Sequence, residues 1–319
     1  MKQRGAKYRF SPFDYGMPIS EGVPMRYVKN MLSQSALLAV SIFMVATTSL
    51  AAEPWAWKAT LDGAGSGQAI VMPTALYVDA ERQRYYVVDS GGNRLLSFSR
   101  EGTFLLAFTA EGKLQIPYDM VRESADVIWV VERGRNSLTS INIKAKEVVT
   151  HIIKDGEKVL VPDRLDYKNG IFYVLDKQSG QIALLGSDLA LQKWLACPEC
   201  TSGFVDFKLT NAGIWALDQL DKKVMQFDAE GKLIKQFDVG QQAEFPVSLA
   251  IGPADNVYVL DRHAADIDVF DPQGNFKYSF LAKGWSRGEL YFPIEIVFDP
   301  WGGLCVVEEG NGRVEVFGR

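Results

Sequence analysis

Hydrophobic residues after position 53 occur in short runs, and Gly, Asn and Asp separate these runs. The runs are rich in Val, Ile, Tyr and Phe, the residues that β-strands favour. No long segment repeats its apolar residues every three to four positions, as an amphipathic helix would. The pattern therefore predicts an all-β protein of short strands and tight turns.

One hydrophobic run that ends in an acidic residue, here named the repeat acid, occurs six times. The copies are YYVVD, IWVVE, FYVLD, IWALD, VYVLD and LCVVE, ending at Asp89, Glu132, Asp176, Asp218, Asp261 and Glu308. Successive repeat acids are 43, 44, 42, 43 and 47 residues apart. A repeat of this length is typical of a propeller blade with four strands.

A second marker precedes each repeat acid by 14 to 16 residues. It is Pro73, Pro117, Pro162, Pro246 and Pro293, with Phe204 in the fourth copy. Proline fits the first residue of a strand, where no ladder N–H is needed. Two further strands follow the acid, often joined by a Gly-containing turn, which makes each unit an antiparallel meander. Such a meander has to stack on its neighbours to bury both faces.

The last repeat ends after its third strand, at residues 316–317, and the segment WAWKATL at 55–61 can supply its fourth strand. Pairing of these two ends would close the ring. We therefore predict a six-bladed β-propeller of four-stranded antiparallel blades, closed by the N-terminal strand. The predicted blades are 73–108, 117–153, 162–197, 204–239, 246–281 and 293–317 together with 55–61.

Two copies carry the most complete repeat signature: YYVVDSGGNRLLSFSREGTFLLAF at 85–108 and VYVLDRHAADIDVFDPQGNFKYSF at 257–280. On these residues the chain resembles the NHL repeat family over nearly all of 55–319, although the second and third copies keep few signature polar residues. The resemblance implies a propeller fold. It implies only a range of functions, because the family includes sensors, protein- and RNA-binding modules and some enzymes.

Residues 25–52 have the features of a secretory signal peptide. A basic start and an apolar stretch precede Ser49 and Ala51, which form a small-x-small cleavage site. An uncleaved membrane anchor is the alternative, but the apolar stretch is shorter than the ~20 residues that span a bilayer. We predict a periplasmic or extracellular protein with no membrane span after cleavage. Residues 53–319 form the single predicted domain, and residues 1–24 are interpreted as a non-native or mis-assigned extension.

Residues two positions after each marker differ between the repeats. They are Ala75, Asp119, Arg164, Asp206, Ser248 and Glu295. Their strand is predicted to line the central channel, where packing favours small or apolar side chains over charged ones. All of them except Ala75 are therefore a candidate ligand site at the channel mouth. Asp166 and Lys208, two positions further along, are additional polar candidates.

Three of these acids could form a metal site. Asp119, Asp206 and Glu295 come from alternate repeats and could converge on one hard cation such as calcium. The alternative is a channel lined by ion pairs, in which Arg164 pairs with the acids or binds an anionic group.

Cys197 and Cys200 have CxxC spacing. Neither a second CxxC nor a nearby His completes a zinc site. In an exported protein the pair is expected to form a small loop-closing disulfide, with a redox role as the alternative.

Aromatic residues surround the last inter-repeat loop. Trp285, Tyr291 and Trp301 lie near Arg287, and aromatic residues with Arg are frequent in the hot spots of protein interfaces. These four residues form a candidate interaction rim. The alternative is that Phe292 and Trp301 cover the seam where the ring closes.

These features predict a monomeric, non-catalytic, exported binding scaffold for a protein or cell-envelope ligand, using propeller loops and the channel mouth. The net charge of −5 offers no basic stripe for nucleic acid. The chain has no G-x-S-x-G elbow, and its two His residues, His151 and His263, do not match the His cluster of a related zinc-dependent lyase. The alternative, implied by related propellers, is a calcium-dependent lactonase-like hydrolase or lyase at the central channel.

Overall fold

The computed structural model describes residues 55–319. The predicted signal peptide at 25–52 and the predicted extension at 1–24 lie outside these residues. The described part contains 26 strands and three short 3-10 helices, at Ala64–Ser66, Ala110–Gly112 and Pro253–Asp255. In this part of the chain no helix is long and apolar enough to cross a membrane.

The N-terminal strand and the first two blades follow one another along the chain. Strand β1 spans Ala56–Leu61. Blade 1 consists of β2 (Pro73–Asp79), β3 (Arg84–Asp89), β4 (Arg94–Ser99) and β5 (Phe104–Phe108). Blade 2 consists of β6 (Pro117–Arg122), β7 (Val127–Glu132), β8 (Ser137–Asn142) and β9 (Glu147–His151). A small hairpin of β10 (Lys154–Asp155) and β11 (Lys158–Val159) follows.

The next three blades have the same four-stranded antiparallel order. Blade 3 consists of β12 (Pro162–Lys168), β13 (Ile171–Asp176), β14 (Gln181–Leu185) and β15 (Leu191–Leu195). Blade 4 consists of β16 (Phe204–Thr210), β17 (Gly213–Asp218), β18 (Lys223–Phe227) and β19 (Leu233–Asp238). Blade 5 consists of β20 (Pro246–Ile251), β21 (Val257–Asp261), β22 (Asp266–Phe270) and β23 (Phe276–Phe280).

Blade 6 joins the two ends of the described chain. It consists of β24 (Pro293–Phe298), β25 (Leu304–Glu308), β26 (Arg313–Gly318) and β1, which pairs antiparallel with β26. The first strands of successive blades contact one another around the ring, and β24 contacts β2 to complete it. The predicted six-bladed propeller, closed by the N-terminal strand, is confirmed.

The hydrophobic core lies in the seams between blades. Six buried apolar clusters occur in residues 55–319, and each combines side chains of two consecutive blades. In the closing seam, Val307 and Val314 of blade 6 belong to one cluster with Val87 and Leu96 of blade 1. Each blade is thus stabilised by burial against both neighbours, as a repeat architecture requires.

The repeat acids are buried, and they clamp the loop before a blade to the turn inside it. Asp261 Oδ2 accepts the backbone N–H groups of Glu244 and Phe245, at 2.5 and 2.6 Å. Its Oδ1 accepts those of His263 and Ala264, at 2.7 and 2.8 Å. The first pair precedes β20 and the second follows β21, so one carboxylate fixes both segments.

The same clamp recurs in other blades. Asp89 accepts the N–H groups of Met72 and Gly92, one on each side of the blade's first two strands. Glu132, with its longer side chain, reaches the N–H of Gln115 at 2.6 Å. In blade 4 the clamp is incomplete: Asp218 Oδ1 accepts the N–H of Asp221 in the turn, and its Oδ2 has no hydrogen-bond partner. The repeat acids of the other five described blades are structural residues that bond the loop before the blade.

The Asp261→Asn substitution should lower the free energy of unfolding by about 2–4 kcal/mol. Its amide NH2 would face two backbone N–H groups that now bond a carboxylate oxygen. Urea denaturation followed by tryptophan fluorescence measures the change. Asp188→Asn is the control, because Asp188 is exposed and accepts the N–H of Ala190 within its own turn. A loss as small as that of the control would show that the clamp is dispensable.

Candidate functional site

A β-bulge stands at the start of the first strand in each of the six blades described. The pairing register shifts between the marker and the residue two positions later, at Pro73/Ala75, Pro117/Asp119, Pro162/Arg164, Phe204/Asp206, Pro246/Ser248 and Pro293/Glu295. A bulge changes the direction of the side chain beside it. The second residue of each pair is a predicted channel residue, and we name these six the channel ring. All six are buried.

Acidic members of the channel ring bond the backbone of the next blade. Asp119 Oδ2 in blade 2 accepts the N–H of Leu165 in blade 3, at 2.9 Å. Asp206 Oδ2 in blade 4 accepts the N–H of Leu249 at 3.0 Å and the hydroxyl of Ser248 at 2.6 Å, both in blade 5. These carboxylates satisfy inner-strand N–H groups at the junctions between blades.

The pattern continues to the point where the ring closes. Ser248 Oγ accepts the N–H of Ile296 in blade 6 at 3.2 Å, and Glu295 Oε2 accepts the N–H of Leu76 in blade 1 at 2.8 Å. Each of these N–H donors belongs to the residue that directly follows the channel ring residue of the next blade. Ala75 and Arg164 have no side-chain acceptor, and their two junctions therefore lack this bond.

Arg164 crosses the channel instead. Its Nη1 donates to the carbonyl oxygen of Thr74 in blade 1 at 3.1 Å, and its Nη2 donates to that of Ile294 in blade 6 at 3.4 Å. Nη1 also lies 3.9 Å from Glu295 Oε1. The guanidinium carbon is 5.2 Å from the centre of the Tyr118 ring. Arg164 therefore ties blade 3 to the opposite side of the ring.

Lys208 lies between two acids of the ring. Its Nζ is 3.3 Å from Asp206 Oδ1 and 3.2 Å from Glu295 Oε1. Burial opposes the ammonium charge, but the carboxylates of Asp206 and Glu295 outweigh burial and raise the pKa of Lys208 above its ordinary value. The two cations Arg164 and Lys208 compensate part of the acidic charge of the channel.

Asp119, unlike Asp206 and Glu295, has no Arg or Lys nitrogen within 4.0 Å in the described residues. Burial and the neighbouring Glu295 raise its pKa to about 7, against the opposing effect of Arg164. Burial also raises the pKa of Asp166, which lines the same space. The channel can therefore change its charge near neutral pH.

A cavity of about 410 Å³ opens beside the channel ring. Asp119, Arg164, Asp206 and Glu295 line it together with Asp166 and Lys208. Apolar walls are formed by side chains that include Val121, Phe207 and Val297. Ala80 and Pro300, which follow the first strands of their blades, also line it, so the cavity lies toward the ends of these strands.

The donor set does not fit a calcium ion in this arrangement. Oxygens of Asp119, Asp206 and Glu295 already accept backbone N–H groups or pair with cations. Within residues 55–319, the one group that brings three candidate ligand atoms within 4.8 Å of one another is Cys200, Asp218 and Asp221, and the sulfur of Cys200 is bound in a disulfide with Cys197. The geometry favours the ion-paired channel over the metal site.

Three aromatic side chains form a patch in the loop between β23 and β24, which we name the aromatic rim. Trp285 is 71% exposed, and its ring centre lies 5.3 Å from that of Tyr291. The ring of Tyr291 lies 4.5 Å from that of Phe292. Lys283 Nζ and the Arg262 guanidinium lie 5.9 and 5.2 Å from the centre of the Phe292 ring. The patch combines exposed aromatic surface with positive charge.

Arg313, beside the repeat acid Glu308, holds this loop. Its Nε donates to Glu308 Oε1 at 2.9 Å. Its two other nitrogens donate to the carbonyl oxygens of Trp285 at 3.2 Å, Ser286 at 2.7 Å and Glu289 at 2.9 Å. The backbone that carries Trp285 is therefore bonded to the buried frame of blade 6.

The structure separates two predicted rim residues from this patch. Trp301 follows β24 and lies on the opposite face, where it packs edge-on against Tyr85 at 5.3 Å and under Arg100 at 5.1 Å. Its predicted place beside Trp285 is therefore wrong. Arg287 lies in the rim loop but stacks on Trp57 of β1 at 5.2 Å.

The remaining candidate residues lie away from the channel. Cys197 and Cys200 are joined by a disulfide with an S–S distance of 2.04 Å. His151 packs against Trp129 on the outer part of blade 2, and His263 stacks on Phe245 at 4.4 Å. Neither histidine lines the channel cavity.

One polar group next to the channel ring was not predicted from the sequence. Tyr118 lies under the guanidinium of Arg133, 3.0 Å from ring centre to carbon. Arg133 donates to Asp163 Oδ1 at 2.9 Å. Tyr118 and Asp163 each stand one position after a marker, so comparison of the repeats at that position could have found them.

The described fold defines the class of this protein, a six-bladed β-propeller. No protein-family profile matches the sequence, and no curated protein is similar to it in sequence. A catalytically inactive histidine-to-alanine variant of virginiamycin B lyase from Staphylococcus aureus, solved with quinupristin, has a similar fold. It is 14% identical, with a TM-score of 0.59 over 77% of this chain and 80% of that chain.

A streptogramin B lyase structure is also similar. It is 12% identical, with a TM-score of 0.59 over 77% of this chain and 78% of that chain. At such low identity, the similarity shows the propeller fold alone.

Ionisation of Asp119 should reduce stability as the pH rises. Its pKa is raised to about 7 in the folded protein, whereas an Asp of an unfolded chain titrates near ~4. Between these values the folded state binds the additional proton, so the free energy of unfolding falls as pH increases through this window. In Asp119→Asn the fall should be smaller, by roughly 1–4 kcal/mol.

Urea denaturation at several values between pH 4.5 and about pH 8 measures this difference. Leu105→Ala, at an exposed position on β5, is the control and should keep the wild-type slope. If Asp119→Asn also keeps that slope, Asp119 does not titrate in the way that its burial suggests.

Proposed function

We propose that this protein is an exported, monomeric, non-catalytic binding scaffold of the NHL-repeat type. It would bind a protein or cell-envelope ligand through the aromatic rim. The observation that carries the proposal is the 71% exposure of Trp285 within a cluster of aromatic and cationic side chains. Such surface is costly to leave in water, and it is typical of the anchor residues of binding interfaces.

The rigidity of the rim loop supports a binding role. Arg313 bonds three carbonyl oxygens of this loop, including that of Trp285. An anchor that is already held in place loses less conformational entropy on binding. Arg94 occupies the same place after the repeat acid in blade 1 and donates to the carbonyl oxygen of Ala69 in the corresponding loop. This shared Arg is part of the signature that resembles the NHL repeat.

The contacts of the channel ring support a structural role for its charged side chains, which are the groups that an enzyme at this position would use. Its carboxylates bond backbone N–H groups of neighbouring blades, and two cations occupy the space between them. Catalysis there would require groups that are free to contact substrate.

Trp285→Ala should reduce the amount of bound partner by at least about tenfold, because an exposed aromatic anchor that becomes buried in an interface contributes roughly 2 kcal/mol or more. Full-length tagged protein, expressed in the source cells and cross-linked there, would be purified and its partners quantified by mass spectrometry. Phe276→Ala, at an exposed aromatic residue on β23, is the matched control. Lys208→Met removes a cation that lines the channel cavity, and it tests whether the partner binds there.

Both the control and the channel variant should retain the partners of the wild-type protein. If Lys208→Met loses them while Trp285→Ala keeps them, the binding site is the channel and the rim proposal is wrong.

The alternative function is a calcium-dependent, lactonase-like hydrolase or lyase at the channel. It is supported by the carboxyl groups around the 410 Å³ cavity and by similarity in fold to two lyases. The bonds of these carboxylates to N–H groups and cations weigh against it.

We therefore expect purified protein to contain no stoichiometric calcium, and its melting temperature to be the same with and without EDTA. Metal analysis and thermal melts measure both quantities. One equivalent of calcium, lost together with thermal stability in Asp206→Asn, would favour the enzyme instead.

A further inference from the structure

A second, mostly apolar cavity lies in the seam between blades 1 and 2. Its volume is about 310 Å³, at the lower end of the roughly 300–1,000 Å³ of small-molecule sites. The buried side chains of Leu95 and Ile128 and the partly buried Phe108 line its interior. Leu106 and Ile143, which are 60% and 46% exposed, also line it. The cavity therefore presents apolar surface that no side chain of the described protein covers.

Other seams of the same propeller show how this space can be filled. Residues three positions before the repeat acid correspond to one another in all blades. In the seam between blades 5 and 6, this residue is Tyr258, which packs against Trp55 and Phe298. In the seam between blades 2 and 3 it is Trp129, which packs against Phe172 at 4.9 Å. Large aromatic side chains close both seams.

In the seam between blades 1 and 2 the corresponding residue is Tyr86, and its neighbours are smaller. Tyr86 pairs with Ser97 on β4, and Ala125 faces the cavity from blade 2. Blade 2 has Ile128 four positions before its repeat acid, where blade 3 has the Phe172 that packs against Trp129, and no aromatic side chain of blade 2 lines this cavity. The open space is therefore a property of this seam, and the repeat architecture does not require it.

The charged side chains that line this cavity are all cationic. Three arginines, Arg82, Arg84 and Arg122, line the cavity. Asp79 pairs with Arg82 at 3.2 Å and with Arg122 at 3.5 Å, so one carboxylate faces two guanidinium groups. The excess charge at the cavity is positive.

Two donors at the cavity are available to a ligand. Arg84 and Tyr86 alternate with Tyr85 along β3, so both side chains lie on the face that looks toward blade 2. Within residues 55–319, neither the Arg84 guanidinium nor the Tyr86 hydroxyl has a hydrogen-bond partner, although Tyr86 is only 9% exposed. Both groups line the cavity.

We propose that this cavity is a binding site for an anionic amphiphile, a small monocarboxylate with an apolar body. The apolar part would occupy the space beside Leu95, Phe108 and Ile128. The carboxylate would accept hydrogen bonds from Arg84 and the Tyr86 hydroxyl, and Arg guanidinium is well suited to bind a carboxylate. This site lies between blades 1 and 2, whereas the aromatic rim lies in the loop that joins blades 5 and 6. The proposal therefore does not depend on the rim.

Octanoate is a suitable probe, and 1-octanol is its uncharged match. Calorimetric titration of the purified full chain should show saturable binding of one octanoate and at least about tenfold weaker binding of octanol, because a hydrogen bond to a charged group is lost. Arg84→Gln and Leu106→Glu should each weaken octanoate binding by about tenfold or more. Both positions are exposed, so neither change disturbs the core.

Two variants serve as controls. Arg100→Gln removes an exposed Arg that lies over Trp301, and it should bind octanoate as the wild type does. Trp285→Ala should also keep octanoate binding, which separates this site from the rim. Absence of saturable octanoate binding, equal binding of octanol, or wild-type affinity in Arg84→Gln would each overturn the proposal.

Discussion

The buried carboxylate at the end of the second strand is the interaction on which five of the six described blades depend. At Asp261 it accepts two backbone N–H groups from the loop before the blade and two from the turn within it. Without it, these four N–H groups would lose a charged acceptor that holds the loop and the turn together. The clamp also fixes where the first strand begins, and therefore where its bulge falls. The position of every channel ring residue follows from that bulge.

From this anchor the blades are joined by two kinds of contact. Apolar side chains fill the seams, and channel ring side chains bond the backbone of the next blade near the axis. The bond from Leu76 to Glu295 crosses the closing seam between residues far apart in sequence, and β1 pairs with β26 at the outer edge of the same blade. The ring is thus closed by contacts near the axis and at the outer edge of blade 6. These contacts offset the entropy cost of holding the two ends of the described chain together.

The fold could be predicted from the sequence because the repeat appears six times with nearly constant spacing, and each copy strengthens the same interpretation. The directions of side chains could not be predicted in this way. From the sequence, Asp206 and Glu295 could either hold calcium or line an ion-paired channel, and the repeat spacing does not show that each bonds the backbone of the next blade. Trp301 follows the rim loop closely in sequence, but β24 lies between them, and six residues of strand span roughly 20 Å.

Comparison of the repeats separates what builds the propeller from what distinguishes this one. The position that carries an acid in every copy is the repeat acid, and its bonds to the backbone build the blade. A position that changes has a reason of its own: Arg164 replaces an acceptor with a donor and crosses the channel, and Ile128 stands where blade 3 has Phe172, in a seam without the aromatic pair that closes the next one. Blades of one backbone design differ mainly in side-chain volume and charge at such positions. Local departures from the repeat are therefore where ligand recognition can arise without loss of the fold.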